Sequence, residues 1–442
     1  MNNLIIDPDK KINEFKPLNG VNCAPYAINY GGNQSIIKEC FKELNVPYSR
    51  LHDVQGSYGG TYFIDVPNIF RDFDADENDE KNYDFYYSDE YITAIVNSGA
   101  KIYYRLGVTI EWGSKKYTTV PPKDFGKWAR ICEHIILHYN KGWANGFEYD
   151  IEYWEIWNEP ENPASMWTGT KEQFFDLYRI ASKYLKKAFP EIRIGGYGSC
   201  GFYAVTSRKD NAFFKKVLQF FYDFIDMVKE EKLPLDFYSW HIYTSDVKEL
   251  AEHAKFVREY LDKNGLVDTE SHLNEWNVGG EGGGFHLMRN MTGASFILAA
   301  LCELQRTGYV DFASYYCFSY LARYNGLFDL NVGTKTCTYY ALKEYGELVG
   351  LKNQIETTCN SENVYCAGGN NGGVSKIIVV NFDNDDEKFK LTFKGVPHGA
   401  TVTVSKLFAD KMLVKESVYT DYNAKELEFD LKKQGVAIID IN

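Results

Sequence analysis

One short stretch decides the fold that this chain is expected to adopt: Trp154-Glu155-Ile156-Trp157-Asn158-Glu159-Pro160. Its apolar beginning is typical of a strand that is buried on both faces. Pro160 has no backbone N–H to give to a strand ladder, so it ends the strand and begins a loop. The pattern therefore places the Glu159 carboxyl at a strand end, next to the amide of Asn158.

This strand is one of a series in which short apolar runs alternate with amphipathic stretches, from about residue 18 to residue 345. The predicted strands are residues 18–22, 48–54, 101–106, 153–157, 193–196, 237–241, 272–276 and 312–318. The predicted helices are residues 34–44, 89–98, 123–139, 171–188, 211–230, 247–263, 292–305 and 338–348. Eight strand–helix units predict an α/β fold, the (β/α)8 TIM barrel. An open doubly wound sheet competes with it, but no GxGxxG motif follows the first strand.

The pattern changes after about residue 350. The β-rich runs there are residues 376–381, 389–393, 401–407 and 435–441, separated by Asn, Asp and Gly turns without a helical period. Such a pattern predicts a small antiparallel β-sandwich. Residues 4–6 are expected to add a strand to it. The predicted organisation is an N-terminal strand in residues 1–15, a barrel in 16–348 and the sandwich in 349–442.

A second carboxyl lies at the end of the seventh predicted strand, in His272-Leu273-Asn274-Glu275-Trp276-Asn277. Catalytic groups of such barrels lie at the carboxyl ends of the strands, so Glu159 and Glu275 should meet across the mouth. Cleavage of a glycosidic bond requires one carboxylic acid and one carboxylate on either side of the scissile bond. A separation of about 5–5.5 Å gives retention and roughly 6.5–9.5 Å gives inversion. Glu155 is expected to alternate away from Glu159, and Glu161 to lie at the rim or in solvent.

Three other strand ends carry polar or aromatic groups. Arg50 can hydrogen-bond the nucleophile and keep it ionised. His52 is a candidate for a sugar hydroxyl, and His241 and Tyr243 are candidates to orient the nucleophile. Either histidine could instead satisfy a backbone carbonyl in the core. At the eighth strand the aromatic set is Tyr315, Tyr316 and Phe318, which suits a stacking platform or ordinary barrel packing equally.

Composition excludes some classes of partner. The net charge of −13 and the absence of a basic cluster argue against nucleic acid and anionic membrane surfaces. No apolar run approaches the length of a membrane span. The aromatic content of 16% suits a sugar-binding cleft, but a large aromatic core alone would explain it better.

The nine cysteines are not spaced as metal ligands, so buried free thiols in a reducing compartment are expected, and no zinc site. The first ten residues lack the features of a signal peptide, which predicts a cytoplasmic protein, although a secreted chain trimmed of its signal would look the same. Whether the chain forms a homo-oligomer is left open.

At these residues the chain resembles glycoside hydrolase family 39, the β-xylosidase and α-L-iduronidase family of the barrel clan with glutamates on strands four and seven. The likeness covers the whole barrel and is carried by the following segments: Trp157-Asn158-Glu159-Pro160, Met166-Trp167-Thr168-Gly169-Thr170, Leu177-Tyr178, Ile194-Gly195-Gly196, Asp236-Phe237-Tyr238-Ser239-Trp240-His241-Ile242-Tyr243, His272-Leu273-Asn274-Glu275 and Asn325-Gly326-Leu327-Phe328-Asp329-Leu330. The segment Gly20-Val21-Asn22 also fits.

The resemblance implies a role for each matching residue. Glu159 would be the acid/base, Glu275 the nucleophile, and Asn158 a ligand of the sugar 2-hydroxyl. The subsite that holds the cleaved sugar would be lined by His52, His241 and Tyr243. The resemblance also implies retention of anomeric configuration and no metal or other cofactor.

Some positions depart from the family pattern. Trp276 stands where xylosidases of this family have Phe or Tyr, and Phe318 stands where they have Trp. The loop at residues 279–284 is very rich in glycine. Since these positions are expected to surround the sugar, Trp276 and Phe318 are added to the predicted substrate-binding set, and the identity of the sugar stays open.

The sequence thus predicts double displacement on a β-linked xyloside or a related pentoside or hexoside. Glu159 would need a pKa raised by burial and by Glu275 to keep its proton. Alternatives are an endo-acting glycanase of the same clan, an inactive carbohydrate-binding barrel and a transglycosylase.

Overall fold

The computed structural model describes residues 2–24, 39–54, 62–279, 284–319, 322–329, 334–395, 399–410 and 412–442. Within these ranges, eight parallel strands form a closed barrel in chain order. They are β2 (Gly20–Asn22), β3 (Tyr48–Leu51), β4 (Lys101–Leu106), β5 (Tyr153–Ile156), β6 (Arg193–Ser199), β7 (Phe237–Tyr243), β8 (Glu270–Asn277) and β9 (Phe312–Tyr315). The barrel prediction is therefore confirmed.

The outer layer consists of helices α1 (Tyr86–Val96), α2 (Phe125–Lys141), α3 (Lys171–Ala188), α4 (Ala212–Glu231), α5 (Val247–Lys263), α6 (Met291–Thr307) and α7 (Cys337–Gly350). Residues 39–43 are also helical, and the rest of the helix expected at 34–44 lies largely outside the described residues. Local chemistry sets the helix ends. Thr170 and Gln173 form a capping box that begins α3, and Gly142, with φ 72°, ends α2.

The barrel interior is filled in layers. At the amino ends of the strands lies a cluster of five buried rings: Tyr48, Tyr103, Tyr153, Phe237 and Phe312. Their neighbouring centroids lie 5.1–5.6 Å apart, for example in Tyr103–Phe312 and Tyr153–Phe237. Such a plug is a packed core. Part of the high aromatic content therefore belongs to the barrel floor and not to a sugar cleft.

The remaining strands are β1 (Asn2–Glu14), β10 (Asn353–Cys359), β11 (Val364–Asn370), β12 (Ser375–Asn381), β13 (Glu387–Phe393), β14 (Ala400–Phe408), β15 (Met412–Tyr422), β16 (Glu426–Leu431) and β17 (Gly435–Ile441). They form one sheet in the order β15-β14-β17-β12-β11-β10-β1-β13-β16. Strands from the two ends of this order share one apolar core, which includes Val404 and Leu391, so the sheet folds over itself. The pairing is antiparallel except between β1 and β13, which run parallel. The N-terminal segment thus pairs within the C-terminal sheet.

The sheet packs on the barrel through α6 and α7. Gln305 of α6 donates to Gln354 of β10 at 2.7 Å. Lys376 of β12 lies 2.5 Å from Glu344 of α7. Among the described residues, we find no helix that combines the length and the apolarity needed to span a bilayer.

Candidate active site

A cavity of about 290 Å³ opens at the carboxyl ends of the barrel strands. It lies at the small end of the range for ligand pockets. Its lining consists of His52, Asp53, Ile110, Trp112, Asn158, Glu159, Asn162, Cys200, Tyr203, Arg208, Phe213, Phe214, Tyr243, Glu275, Tyr316 and Tyr324. Five of the predicted site residues therefore line one cavity: His52, Asn158, Glu159, Tyr243 and Glu275.

Glu159 is aimed by a sharp turn after β5. Trp157 and Glu159 both adopt left-handed backbone angles, with φ 71° and 44°. The Glu159 N–H donates to the carbonyls of Tyr197 and Gly198 at 3.0 Å each. Gly198 has φ +62°, and a Cβ there would lie 2.9 Å from Asn158 Oδ1. Only glycine allows β6 to approach the site this closely.

Glu275 lies near the carboxyl end of β8 and accepts hydrogen bonds from two side chains. The Tyr243 hydroxyl donates to Oε1 at 2.5 Å, and the Arg50 Nη1 donates to Oε2 at 3.2 Å. Both bonds stabilise the ionised carboxylate, which is the form that a nucleophile requires.

The two glutamates lie close together. Glu159, Glu275 and His241 each offer one polar atom, and these atoms all lie within 4.8 Å of one another. Carboxylate oxygens this close to each other are compatible with the roughly 5–5.5 Å between the carboxyl groups of retaining enzymes. The same spacing would also suit a metal ion, but the carboxylate oxygens already accept hydrogen bonds from Tyr243, Arg50 and His241.

His241 pairs with the predicted acid/base. Its Nδ1 lies 2.8 Å from Glu159 Oε1, and its Nε2 lies 3.7 Å from Glu275 Oε2. Burial alone would lower the pKa of His241, but Glu275 and Glu159 outweigh burial and raise it. Burial alone would raise the pKa of Glu159, but the hydrogen bond and charge of His241 lower it.

This direction is opposite to the expectation for Glu159. Burial and Glu275 were expected to hold the proton on the carboxyl, without His241 entering the balance. The opposite directions make the His241 imidazole the more basic group of the pair, which favours the proton on His241.

Below the cavity, Arg50 of β3 connects its own strand to β2, β5 and β8 by side-chain hydrogen bonds. Its guanidinium donates to Glu155 Oε2 at 2.8 Å, to Asn22 Oδ1 at 3.0 Å and to Asn158 Oδ1 at 2.6 Å, besides Glu275. Glu155 also accepts from Ser239 and Asn274, both at 2.6 Å. Glu155 thus faces the barrel interior, where it holds Arg50.

The Glu161 carboxylate contacts the protein and does not extend into solvent. Its Oε1 accepts from the Ser199 hydroxyl at 2.7 Å and from the Cys200 N–H at 2.8 Å. Burial raises the pKa of Glu161 to about 7. The carboxyl fastens the loop that carries Glu159 to the end of β6.

Asp53 is a cavity residue that the sequence analysis did not single out. It follows His52 and accepts from the Tyr316 hydroxyl at 2.8 Å. Burial, and after it Glu275, raise the pKa of Asp53 to about 6. Burial, Arg105 and Arg50 lower the pKa of His52 well below its ordinary value, so the imidazole is neutral at pH 7. In the sequence, the feature that could have identified Asp53 as a cavity residue is its position near the end of a predicted strand.

Two predicted sugar contacts lie elsewhere. The Trp276 ring is fully buried, 6.3 Å from the ring of Phe296 on α6 and 6.0 Å from that of Tyr315. Because side chains alternate along a strand, Trp276 points outward when Glu275 points to the cavity. Phe318 is buried against Phe41 and Phe328. Neither side chain lines the cavity, which corrects the expectation that they contact the sugar.

A closed barrel with paired carboxyl groups at the ends of its fourth and seventh strands is typical of glycoside hydrolases that retain configuration. Comparison with known proteins agrees with this class. The sequence model of the family described as Glycosyl hydrolases family 39 matches residues 23–321, and the chain belongs to that family.

Individual relatives are distant. A β-xylosidase from Geobacillus stearothermophilus is 25% identical over 225 residues, which are 48% of this chain and 40% of that protein. A β-xylosidase from Caldicellulosiruptor saccharolyticus is 27% identical over 223 residues, 48% of this chain and 39% of the relative. The chain therefore matches well under two thirds of the length of either one. The crystal structure of a glucosidase from Croceicoccus marinus has a TM-score of 0.78 at 20% identity, over 100% of this chain and 99% of that one. At 20% identity, the similarity to the glucosidase structure supports the fold alone.

Proposed function

We propose that this chain is an exo-acting retaining glycosidase that cleaves a β-linked xyloside, or a related pentoside or hexoside, by double displacement. The observation that carries the proposal is the pair Glu159 and Glu275, with polar atoms within 4.8 Å at the ends of the fourth and seventh barrel strands. The small cavity supports action on a terminal sugar. The xylosidase names of two relatives favour xylose as the first sugar to test.

In the first step, Glu275 attacks the anomeric carbon and the glycosidic oxygen leaves as an alcohol. The proton for that oxygen comes from the His241–Glu159 pair. When substrate binds, the proton passes along the 2.8 Å hydrogen bond from His241 to the Glu159 carboxyl, and the carboxyl donates it to the leaving oxygen. In the second step Glu159 accepts a proton from water, and that water releases the sugar from Glu275 with retained configuration. Tyr243 and Arg50 hold the Glu275 carboxylate for attack.

The test compares two variants with an activated aryl glycoside as substrate. Glu275→Ala should lower kcat by at least about 10³-fold, because it removes the carboxylate that Tyr243 and Arg50 hold for attack on the anomeric carbon. Added azide should restore turnover and give a glycosyl azide of inverted configuration, read by NMR. Glu159→Ala with azide should instead give the azide of retained configuration.

A remote carboxyl provides the control, since Glu133→Ala on α2 should leave all rates unchanged. If Glu275→Ala gave the retained azide and Glu159→Ala gave the inverted one, the roles of nucleophile and acid/base would be reversed. Full activity of Glu275→Ala would contradict the mechanism. If the unmodified chain hydrolysed no member of a panel of aryl pentosides and hexosides, a carbohydrate-binding protein would be favoured instead.

A further inference from the structure

The cavity contains a third carboxyl that double displacement does not use. Asp53 follows β3 in a left-handed backbone conformation, with φ 53°. Its side chain is 19% exposed, compared with 16% for Glu159 and 10% for Glu275. Asp53 is thus at least as accessible from the cavity as the two predicted catalytic glutamates.

Asp53 is held from several directions. Its Oδ2 accepts from the Tyr316 hydroxyl at 2.8 Å. Its Oδ1 accepts from the Ile110 N–H at 3.4 Å and lies 3.3 Å from Nε2 of His52. These contacts come from three different parts of the barrel rim, so the carboxyl is fixed in the cavity wall and cannot swing into solvent.

Within the described part of the chain, two arginines close to Asp53 lie behind the cavity wall. Arg50 and Arg105 have fully buried side chains and do not line the cavity. His52 is neutral at pH 7 because burial lowers its pKa. Arg208 does line the cavity, where its guanidinium stacks on Tyr203 and Phe214 at 5.3 and 5.1 Å from the ring centroids. Among the described residues, a ligand in the cavity therefore meets three carboxyl groups and one guanidinium, which lies over two aromatic rings.

We propose that Asp53 makes this enzyme select neutral glycosides and reject uronides, whose own carboxylate would be brought close to the Asp53 carboxylate. The inference rests on the proposed function and deepens it, since the family resemblance left xylosides and iduronides both open. A compact cavity of about 290 Å³ is only about 8 Å across, roughly one Debye length at physiological salt, so the repulsion is poorly screened. Neutral sugars escape the repulsion and can donate a hydroxyl to Asp53 instead.

The test is the ratio of kcat/KM for an aryl uronide to kcat/KM for an aryl β-xyloside. The uronides are aryl β-glucuronide and aryl α-L-iduronide. The unmodified enzyme should prefer the xyloside, and Asp53→Asn should raise the uronide-to-xyloside ratio at least about tenfold. Asp53→Glu keeps the charge and should keep the preference. Equal melting temperatures of the three proteins exclude a folding defect.

A binding measurement separates this inference from the proposed function. Free D-xylose and D-glucuronate are compared by ligand-observed NMR on the unmodified protein and on Asp53→Asn. A relative gain of glucuronate binding in Asp53→Asn supports the inference even if no glycoside is hydrolysed, an outcome that would overturn only the proposed function. An unchanged ratio in both assays, or a preference of the unmodified protein for uronides, overturns the inference.

Discussion

At the scale of single residues, the proton in the cavity belongs to a pair. His241 and Glu159 are 2.8 Å apart, and their pKa values move in opposite directions from the ordinary values. The pair carries the one proton that the leaving group requires. Its loss should therefore set the basic limb of the pH profile of kcat/KM.

We predict that His241→Asn moves this basic limb to lower pH. In the unmodified enzyme the proton stays on the pair until the pH exceeds the raised pKa of His241. In the variant the proton stays on the Glu159 carboxyl alone. Burial raises the pKa of that carboxyl, but it does so from an ordinary value of about 4.3 and not from the roughly 6.5 of an imidazole. The measurement is kcat/KM against pH with an aryl glycoside. His134→Asn on α2, outside the cavity lining, is the control, and a basic limb at the same pH in His241→Asn would contradict the shared proton.

The error on Trp276 has a local cause that the sequence could have revealed. The neighbours Glu275 and Trp276 were both assigned to the sugar, although a strand sends adjacent side chains to opposite faces. The nearby aromatic that lines the cavity is instead Tyr316, two positions before Phe318. A strict count of alternation along β8 would have removed Trp276 from the predicted site.

At the scale of elements, the loop between β4 and α2 carries an exposed tryptophan to the cavity. Trp112 lines the cavity and is 80% exposed. The loop is held by the Glu111 carboxylate, whose oxygens accept from the backbone N–H groups of Tyr117, Thr118 and Thr119 at 3.0–3.1 Å. A tryptophan exposed on so firmly held a loop is placed to stack on the leaving group.

We predict that Trp112→Ala raises KM for a disaccharide substrate about 5- to 30-fold, which corresponds to a loss of about 1–2 kcal/mol of stacking. The effect should be small for a substrate with a small, non-aromatic leaving group such as fluoride. Tyr117→Ala, on the same loop and 65% exposed but absent from the cavity lining, is the matched control. Equal KM changes in the two variants would show that the loop as a whole, and not the Trp112 ring, is responsible.

At the scale of the whole molecule, one lysine joins the β-sheet to the barrel. Lys376 of β12 has a 9% exposed side chain and lies 2.5 Å from Glu344, 2.9 Å from Glu347 and 3.2 Å from Asp440. Burial raises the pKa of Glu344, and Lys376 partly offsets that rise.

We predict that Lys376→Met lowers the free energy of unfolding by about 3–5 kcal/mol, because it leaves a buried carboxylate without its cation. The folded-state pKa of Glu344 should then rise further above its unfolded value, so the loss should be larger at pH 8, where the carboxylate is charged, than at pH 5. Urea denaturation at both pH values measures the effect. Lys388→Met on β13, where the lysine is exposed, is the control. A loss that does not depend on pH would contradict the role of Glu344.

Much of the fold follows from local patterns in the sequence. Each predicted barrel strand overlaps an observed one, because a strand buried on both faces is a continuous apolar run. In the C-terminal sheet, β10, β11, β15 and β16 were not predicted. Edge strand β15 is largely exposed and therefore shows no apolar run, and β10 and β11 contain the Gly, Thr, Asn and Cys residues that weaken the pattern.

The sequence by itself determined the eight strand–helix units and the placement of Glu159 and Glu275 at two strand ends, because the side-chain period and the proline that ends a strand are local properties. Only the tertiary structure decided which groups surround those glutamates. Closure of the barrel brings Arg50, Glu155, His241 and Asp53 together from strands far apart in the chain. The charges on His241 and Asp53 depend on neighbours that no local pattern reveals, and for that physical reason the raised pKa of each appears only in three dimensions.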